Sequence, residues 1–125
     1  MQAYLDNSAT TQPTQGVIEA MERCMREGFY NPSSLYTPAM KSEQAMKECR
    51  ERILRALGTS GQGSILFTSG GTESNNLAII GAVGAMHGAR HVMCSAVEHP
   101  SVKESFEALR AGGHRVTFIP VDGAG

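Results

Sequence analysis

The sequence predicts an α/β fold, in which helices cover a parallel or mixed sheet. From residue 64 onward, short β-rich apolar runs alternate with stretches of helical periodicity, in the order strand, helix, strand, helix, strand. Before residue 64, apolar residues recur at helical spacing in two longer stretches. A chain of 125 residues is also long enough to bury a core as one domain, or to be a piece of a larger one.

Composition and charge exclude several classes of function. The net charge is −1 and no basic run is present, so we expect neither a nucleic-acid partner nor an anionic membrane partner. The longest apolar segments are short and interrupted, which excludes a membrane-spanning helix. The first residues have neither a basic start nor an apolar signal core, so we expect a cytoplasmic protein.

Three cysteines, Cys24, Cys49 and Cys94, are widely spaced and form no Cys-x-x-Cys pair. Each falls within an apolar pattern. This pattern favours buried free thiols in a reducing compartment over a catalytic or metal-binding role for the cysteines. We predict no metal site.

The first half of the chain reads as an arm, two helices and a loop between them. Residues 1–13 are polar and end at a proline, which suits an extended arm. Helical spacing then predicts an amphipathic helix over 14–27, with Thr14 as N-cap and Gly28 as the stop. Two prolines place 29–38 in a loop that carries Asn, Ser and Tyr and is compatible with either a polar site or a surface connection.

The second half contains the alternating elements. A helix over 39–57 precedes them and is stopped by glycines. The predicted elements in chain order are a strand over 64–68, a helix over 72–87, a strand over 91–95, a helix over 102–111 and a strand over 115–120.

The turn within residues 68–76, Thr-Ser-Gly-Gly-Thr-Glu-Ser-Asn-Asn, is the main candidate binding element. Gly70 and Gly71 would permit positive φ and close approach to a ligand, while Thr72 or Ser74 would cap the following helix. A helix N-terminus presents unpaired N–H groups and a positive dipole end, which suit a phosphate group. The alternative is an ordinary capped turn, because neither a Walker motif nor Gly-x-Gly-x-x-Gly is present.

A second loop is expected at the same edge of the sheet. Open parallel sheets bind ligands beyond the carboxyl ends of their strands. The turn at 69–72 and the loop at 96–100 each follow a predicted strand, so we expect both to face one pocket.

Four motifs together resemble the N-terminal part of a cysteine desulfurase, in the class V aminotransferase group of pyridoxal-phosphate enzymes. The resemblance runs over essentially all 125 residues, in the same order and spacing. The motifs are Tyr-Leu-Asp-Asn-Ser-Ala-Thr-Thr at 4–11, Asn-Pro-Ser-Ser at 31–34, Phe-Thr-Ser-Gly-Gly-Thr-Glu-Ser-Asn-Asn at 67–76 and Glu-His at 98–99.

The resemblance implies a fold and an activity. The fold would be a three-layer sandwich, with 1–13 as an N-terminal arm and 14–125 as the first part of the large domain of a fold-type-I pyridoxal-phosphate transferase, its sheet incomplete in this chain. The activity would convert L-cysteine to L-alanine and pass the sulfur to an enzyme persulfide for iron–sulfur cluster or thio-cofactor synthesis. The implied partners are a sulfur-acceptor or scaffold protein and a second copy in a homodimer.

The resemblance also implies roles for individual residues. Gly71 and Thr72 would bind the phosphate of pyridoxal 5'-phosphate. His99 would stack on the cofactor ring and help to move protons, as both a cofactor-binding and a catalytic residue. Without the resemblance, a lone His in such a turn is more often a structural hydrogen-bonding residue. Asn7 and the loop at Asn31 would lie near the mouth of the site.

Departures from the family concern one loop and the reactive groups. Tyr36 and Ala39 stand where the family often has His and Gly. Pyridoxal-phosphate chemistry needs a lysine that forms a Schiff base with the cofactor. None of the lysines matches the family's motif for it, and Cys94 does not match the sulfur carrier; the lysines are Lys41, Lys47 and Lys103. We therefore predict that the 125 residues alone are inactive.

Two alternative functions remain open from the sequence. One is a non-catalytic phosphate-binding module that pairs with another chain, since an unfinished sheet leaves an open strand edge. The other is a related pyridoxal-phosphate enzyme that acts on selenocysteine, kynurenine or serine.

Overall fold

The computed structural model describes residues 3–59, 62–88 and 90–124. The chain divides into two compact units, the first ending at Ile65 and the second beginning at Leu66. The first unit contains helices α1 and α2, and the second contains α3, β1, α4 and β2. Their bounds are α1 Gln15–Glu27, α2 Thr37–Ala56, α3 Gly71–Gly84, β1 His91–Ser95, α4 Pro100–Ala111 and β2 Arg115–Ile119.

Helix α1 confirms the prediction from periodicity. Thr14 is the N-cap and Gly28 is the C-cap, although the Thr14 side chain makes no capping hydrogen bond. The Gly28 N–H donates to the Cys24 carbonyl at 2.9 Å. None of the α1 residues is buried, so its apolar face is uncovered within the described part of the chain.

Helix α2 begins two residues earlier than predicted, at Thr37. Pro38 explains the difference, because proline is accepted in the first turn of a helix, where its missing N–H has no partner to lose. Ala39 is fully buried, at 0% exposure, and the Ser42 hydroxyl lies 3.4 Å from the Gly28 carbonyl oxygen.

The second unit is built on a parallel strand–helix–strand arrangement. Strands β1 and β2 pair in parallel with His91 opposite Arg115 and Ser95 opposite Ile119. Helix α4 connects the two strands and packs against both, and also against α3. Val83, Cys94 and Leu109 form the buried apolar core.

The predicted strand over 64–68 is wrong for this chain. Within the described residues the sheet has two strands, β1 and β2, and residues 64–68 join no ladder. A strand is stabilised by hydrogen bonds to a neighbouring strand, and no neighbour is paired with this segment. The Ile65 carbonyl instead accepts a hydrogen bond from the Arg50 side chain at 3.2 Å.

The prediction of buried thiols holds for one cysteine of three. Cys94 is buried, and burial raises the pKa of its thiol. Cys24 and Cys49 are exposed, so the prediction is wrong for them. They lie on the apolar faces of α1 and α2, which no other described element covers. An apolar stripe predicts the face that a helix can bury, but without a covering element the thiols on that face stay in contact with solvent.

None of the helices in the described part of the chain is long and apolar enough to cross a membrane. The predicted division into an arm over 1–13 and a domain over 14–125 stays a prediction.

Candidate cofactor site

The turn before α3 is open rather than strained. Gly70 is the N-cap with φ 163° and ψ −177°, which is extended backbone, and Gly71 is the first helical residue. The prediction of positive φ at these glycines is therefore wrong. A Cβ atom placed at either glycine would have no neighbour within 4 Å among the described residues, which leave the space beside this turn open to a ligand.

The predicted side-chain caps are also wrong, because the helix begins before them. Thr72 and Ser74 lie inside α3, and the Ser74 hydroxyl is 2.6 Å from that of Thr68. Ser74 is the first residue of α3 whose N–H has a backbone acceptor among the described residues. It donates to the Gly70 carbonyl at 3.1 Å.

Four hydrogen-bond donors are consequently free at this helix end. The backbone N–H groups of Gly71, Thr72 and Glu73 have no acceptor among the described residues. The Thr72 hydroxyl is exposed and has no hydrogen bond in the same part of the chain. A helix N-terminus with several free donors is suited to binding a phosphate group.

Glu73 does not compete for these donors. Its Oε2 atom accepts hydrogen bonds from the Ser69 hydroxyl and from the Ser69 N–H, both at 2.6 Å. These two bonds lower the pKa of the Glu73 carboxyl group, the hydroxyl contributing more. The carboxylate is therefore fixed on the Ser69 side of the turn, which leaves the first-turn N–H groups available.

His99 occupies the same position at the start of α4 as Gly70 does at the start of α3. It is the N-cap, and its Nδ1 atom accepts a hydrogen bond from the Ser101 N–H at 3.1 Å. The Ser101 hydroxyl lies 2.8 Å from the same Nδ1 atom. The His99 side chain is otherwise exposed. The Nδ1 atom thus has a structural role, and the Nε2 atom makes no hydrogen bond with the described residues.

The two helix starts are joined by hydrogen bonds. The Asn75 side-chain N–H donates to the Ser101 hydroxyl at 2.9 Å, which links the second turn of α3 to the first turn of α4. The buried Ser105 hydroxyl donates to the Ser101 carbonyl at 2.8 Å. The structure therefore brings His99 within two hydrogen bonds of the helix that carries Gly71 and Thr72.

Sequence reasoning missed Asn75 and Ser101 as residues of this site. Ser101 directly follows the loop predicted at 96–100, and a serine near the end of a loop is a local signal for a helix start. Its pairing with an asparagine 26 positions earlier depends on how α3 packs against α4, which the sequence pattern did not contain.

Other predicted residues lie in the first unit. The Asn7 carbonyl accepts from the Thr11 hydroxyl at 3.0 Å, and the Asn31 side chain accepts from the Ser33 N–H at 2.9 Å. Both asparagines therefore organise local turns. Their placement at the mouth of the site stays a prediction.

An open groove of about 440 Å³ also lies in the first unit, with Arg23, Tyr30 and Lys41 among its lining residues. It contains none of the predicted site residues. Among the described residues, no group of three or more His, Cys, Asp or Glu side chains is arranged to hold a metal ion.

Comparison with known families gives a match along nearly the whole chain. The family model described as aminotransferase class-V matches residues 3–125. The cysteine desulfurase IscS of Dictyoglomus turgidum is 42% identical over 125 residues, which cover 99% of this chain and 32% of the relative. The cysteine desulfurase NifS of Azotobacter vinelandii is 38% identical, covering 98% of this chain and 30% of its own length.

Solved structures give the same result. A chain described as a NifS-like protein is 32% identical with a TM-score of 0.81, covering 98% of this chain and 33% of that one. A structure of SspA in complex with cysteine is 32% identical with a TM-score of 0.74, covering 90% of this chain and 32% of that one. The predicted fold, the N-terminal part of a fold-type-I large domain with an incomplete sheet, is confirmed.

The chain spans about a third of the length of the curated relatives it matches. Its sequence matches theirs along nearly its whole length. The chain belongs to the class-V aminotransferase family, in which it matches the N-terminal portion of the cysteine desulfurases.

Proposed function

We propose that the chain is the N-terminal portion of a pyridoxal-phosphate-dependent cysteine desulfurase, which converts L-cysteine to L-alanine and transfers the sulfur to an enzyme persulfide. One observation supports this most strongly. The free donors at the start of α3 and the His99 ring at the start of α4 lie on helices joined through Asn75 and Ser101. The curated relatives that share the chain's sequence are named cysteine desulfurases.

The residues at the start of α3 fit the phosphate of pyridoxal 5'-phosphate. The N–H groups of Gly71 and Thr72 and the Thr72 hydroxyl are free to donate to phosphate oxygens. The absence of side chains at Gly70 and Gly71 leaves the approach open. The positive end of the α3 dipole adds a favourable interaction with the phosphate charge.

His99 fits the second role, contact with the cofactor ring. Its Nδ1 atom is held by Ser101, so the orientation of the imidazole is fixed from one side. The exposed ring is then available for stacking, and Nε2 is the atom at which His99 would give or take a proton.

Pyridoxal phosphate, when bound, supplies a ring that withdraws the electrons released at the amino acid substrate. The residues of this chain would bind and orient it. Covalent attachment requires a lysine, and Lys41, Lys47 and Lys103 do not match the family's lysine motif. We therefore expect the 125-residue chain alone to be inactive, and expect activity when it is joined to the remainder of the family's domain.

The other parts of the proposal rest on the family. They are a homodimer, a sulfur-acceptor or scaffold protein as partner, and pyridoxal-phosphate binding by a domain over 14–125 that follows an arm over 1–13. A cytoplasmic location stays a prediction from the sequence.

The proposal is tested by measuring alanine formed from L-cysteine. We expect no alanine from the isolated chain. A chimera that joins this chain to the remaining two thirds of the Dictyoglomus turgidum relative should form alanine and a cysteine persulfide. In that chimera, Thr72→Val and His99→Gln should each lower the rate by about a hundredfold or more, the range typical of a lost binding donor or proton-transfer group.

Two outcomes would contradict the proposal. One is a folded chimera that binds pyridoxal phosphate but leaves L-cysteine unchanged while acting on selenocysteine, kynurenine or serine. The other is a chimera in which Thr72→Val and His99→Gln have no effect. A chimera that binds phosphate compounds without any turnover would instead favour a non-catalytic phosphate-binding module.

A further inference from the structure

We infer that Ser101 and Asn75 are positioning residues that hold the imidazole of His99 in its Nε2–H tautomer. Only the consequence of this inference, that the Nε2–H group of His99 is directed toward the reacting atoms, rests on the proposed function. The hydrogen-bond geometry that carries it comes from the second unit alone.

The backbone at the start of α4 determines which nitrogen of His99 accepts a hydrogen bond. The Ser101 N–H can only donate, and it lies 3.1 Å from the His99 Nδ1 atom, so Nδ1 must accept. A neutral imidazole that accepts at Nδ1 carries its proton at Nε2. The helix start itself therefore selects the tautomer, since this N–H is one of the first-turn donors of α4 that would otherwise have no partner.

The Ser101 hydroxyl lies 2.8 Å from the same nitrogen. A hydroxyl can donate or accept. The Asn75 side-chain N–H points its own proton at this oxygen at 2.9 Å. Because Nδ1 carries no proton, the hydroxyl donates to it and shares the single Nδ1 lone pair with the Ser101 N–H. Asn75 polarises the hydroxyl by donating to its oxygen, which strengthens the bond to Nδ1.

The serines behind His99 are buried and held in place. Ser101 is 8% exposed and Ser105 is 1% exposed, so this part of α4 is fixed in the packed interior of the second unit. The Ser105 hydroxyl holds the Ser101 carbonyl at 2.8 Å but does not touch His99. His99 is thus an exposed ring supported from behind by a chain of hydrogen-bonding side chains that runs from the half-buried Asn75 in α3 to the buried serines of α4.

The consequence is a defined donor at the exposed side of the ring. In the Nε2–H tautomer, the ring presents an N–H outward and keeps its lone pair inward. Asn75 and Ser101 would act through His99 and would contact neither the substrate nor the cofactor.

The tautomer is measurable by NMR without any cofactor. The 125-residue chain contains four histidines, which are labelled with ¹⁵N in the ring and distinguished by the loss of one signal in His99→Gln. Two-bond and three-bond couplings between ring nitrogens and carbon-bound protons identify the protonated nitrogen. We expect His99 to be in the Nε2–H form.

Variants separate the hydroxyl from general packing. Ser101→Ala should raise the ratio of the Nδ1–H to the Nε2–H form by about fivefold, the factor produced by losing one ordinary hydrogen bond. Asn75→Ala should raise it by about twofold, because its effect passes through the hydroxyl. Ser101→Thr, which keeps a hydroxyl, should restore the ratio. Asn76→Ala is the matched control that should leave it unchanged, since the Asn76 side chain donates to the Thr72 carbonyl and not to Ser101 or His99.

The chimera described above supplies the second readout. There, Ser101→Ala should lower kcat by about the same fivefold factor without raising KM, and Ser101→Thr should recover it. A His99 that is Nδ1–H in the parent chain, or a tautomer ratio that Ser101→Ala does not change, overturns the inference even if the chimera is an active desulfurase. A shifted ratio with no effect of His99→Gln on turnover leaves the positioning intact and overturns the proposed role of His99.

Discussion

The two units of the chain differ in how much of their predicted apolar surface is buried. In the second unit, Val83, Cys94 and Leu109 are buried together with two serines. In the first unit, Ala39 is the buried residue among those described. Helix α1 is as regular as α4, yet none of its residues is buried, and Met21 on its apolar stripe is 56% exposed.

This difference shows what helical periodicity does and does not predict. An apolar stripe predicts that a helix forms and which face is to be covered, but the covering element is a separate requirement. In the second unit, β1, β2 and α3 provide that cover for α4. For α1, no cover is present among the described residues.

The largest expected effect is the loss of a side chain from the packed unit. Leu109→Ala removes a residue that is 6% exposed and should lower the free energy of unfolding of the second unit by about 2 to 5 kcal/mol. Met21→Ala in α1 should lower the free energy of unfolding of the first unit by less than about 0.5 kcal/mol. Urea unfolding measures both losses, with hydrogen exchange at the β1 and β2 amides for Leu109→Ala and at the α1 amides for Met21→Ala. Equal losses for the two variants would contradict the difference between the units.

Thiol chemistry gives the next largest contrast. At about pH 8, Cys24 and Cys49 should react with iodoacetamide at least about tenfold faster than Cys94, because they are exposed while burial raises the Cys94 pKa and lowers its thiolate fraction. Peptide mass spectrometry after timed quenching measures the three rates. In urea the rates should converge, and a native Cys94 that reacts as fast as Cys24 would show that the second unit is not packed as described.

Two glycines should respond with opposite sign to substitution by alanine. Gly113, between α4 and β2, has φ +91°, which an alanine adopts only at a cost of about 1 to 2 kcal/mol. Gly16 is within α1 and a Cβ there would meet nothing within 4 Å, so Gly16→Ala should increase helicity slightly. Thermal unfolding followed by circular dichroism measures both, and a stabilising Gly113→Ala would be incompatible with the turn between α4 and β2.

The smallest expected effect concerns the turn before α3. The Glu73 pKa is lowered in the folded chain, so its two bonds to Ser69 stabilise the fold above the ordinary glutamate pKa of about 4.3. That contribution is lost as the pH falls below this value through the folded pKa. Glu73→Gln should therefore flatten the dependence of stability on pH in this acidic range, and Ser69→Ala should do so in part. Melting temperatures between about pH 3 and pH 6 measure the slopes; an unchanged slope in Glu73→Gln would contradict the two hydrogen bonds.

Much of the fold could be predicted from the sequence because its signals are local. Neighbouring residues determine the helical period of α1, the strand patterns of β1 and β2 and the helix end at Gly28. All of these predictions were confirmed. The strand predicted over 64–68 was wrong because an apolar run specifies a strand only when a neighbour is present to pair with it.

The candidate site divides in the same way. Its local parts, the glycine turn with Thr72 and the position of His99 before a helix, could be identified from motifs. The caps could not, since a shift of the helix start to Gly71 moves Thr72 from the cap into the first turn. The bond between Asn75 and Ser101 depends on helix packing and carries no sequence-local signal.

We expect the start of α3 to bind the phosphate of pyridoxal phosphate. The most direct test is an NMR titration of the ¹⁵N-labelled 125-residue chain with pyridoxal phosphate and, in parallel, with pyridoxal, which lacks the phosphate. Pyridoxal phosphate should shift the amides of Gly71, Thr72 and Glu73, and pyridoxal should not. Thr72→Val should weaken the shift. Equal shifts from both compounds, or shifts confined to residues away from this turn, would contradict it.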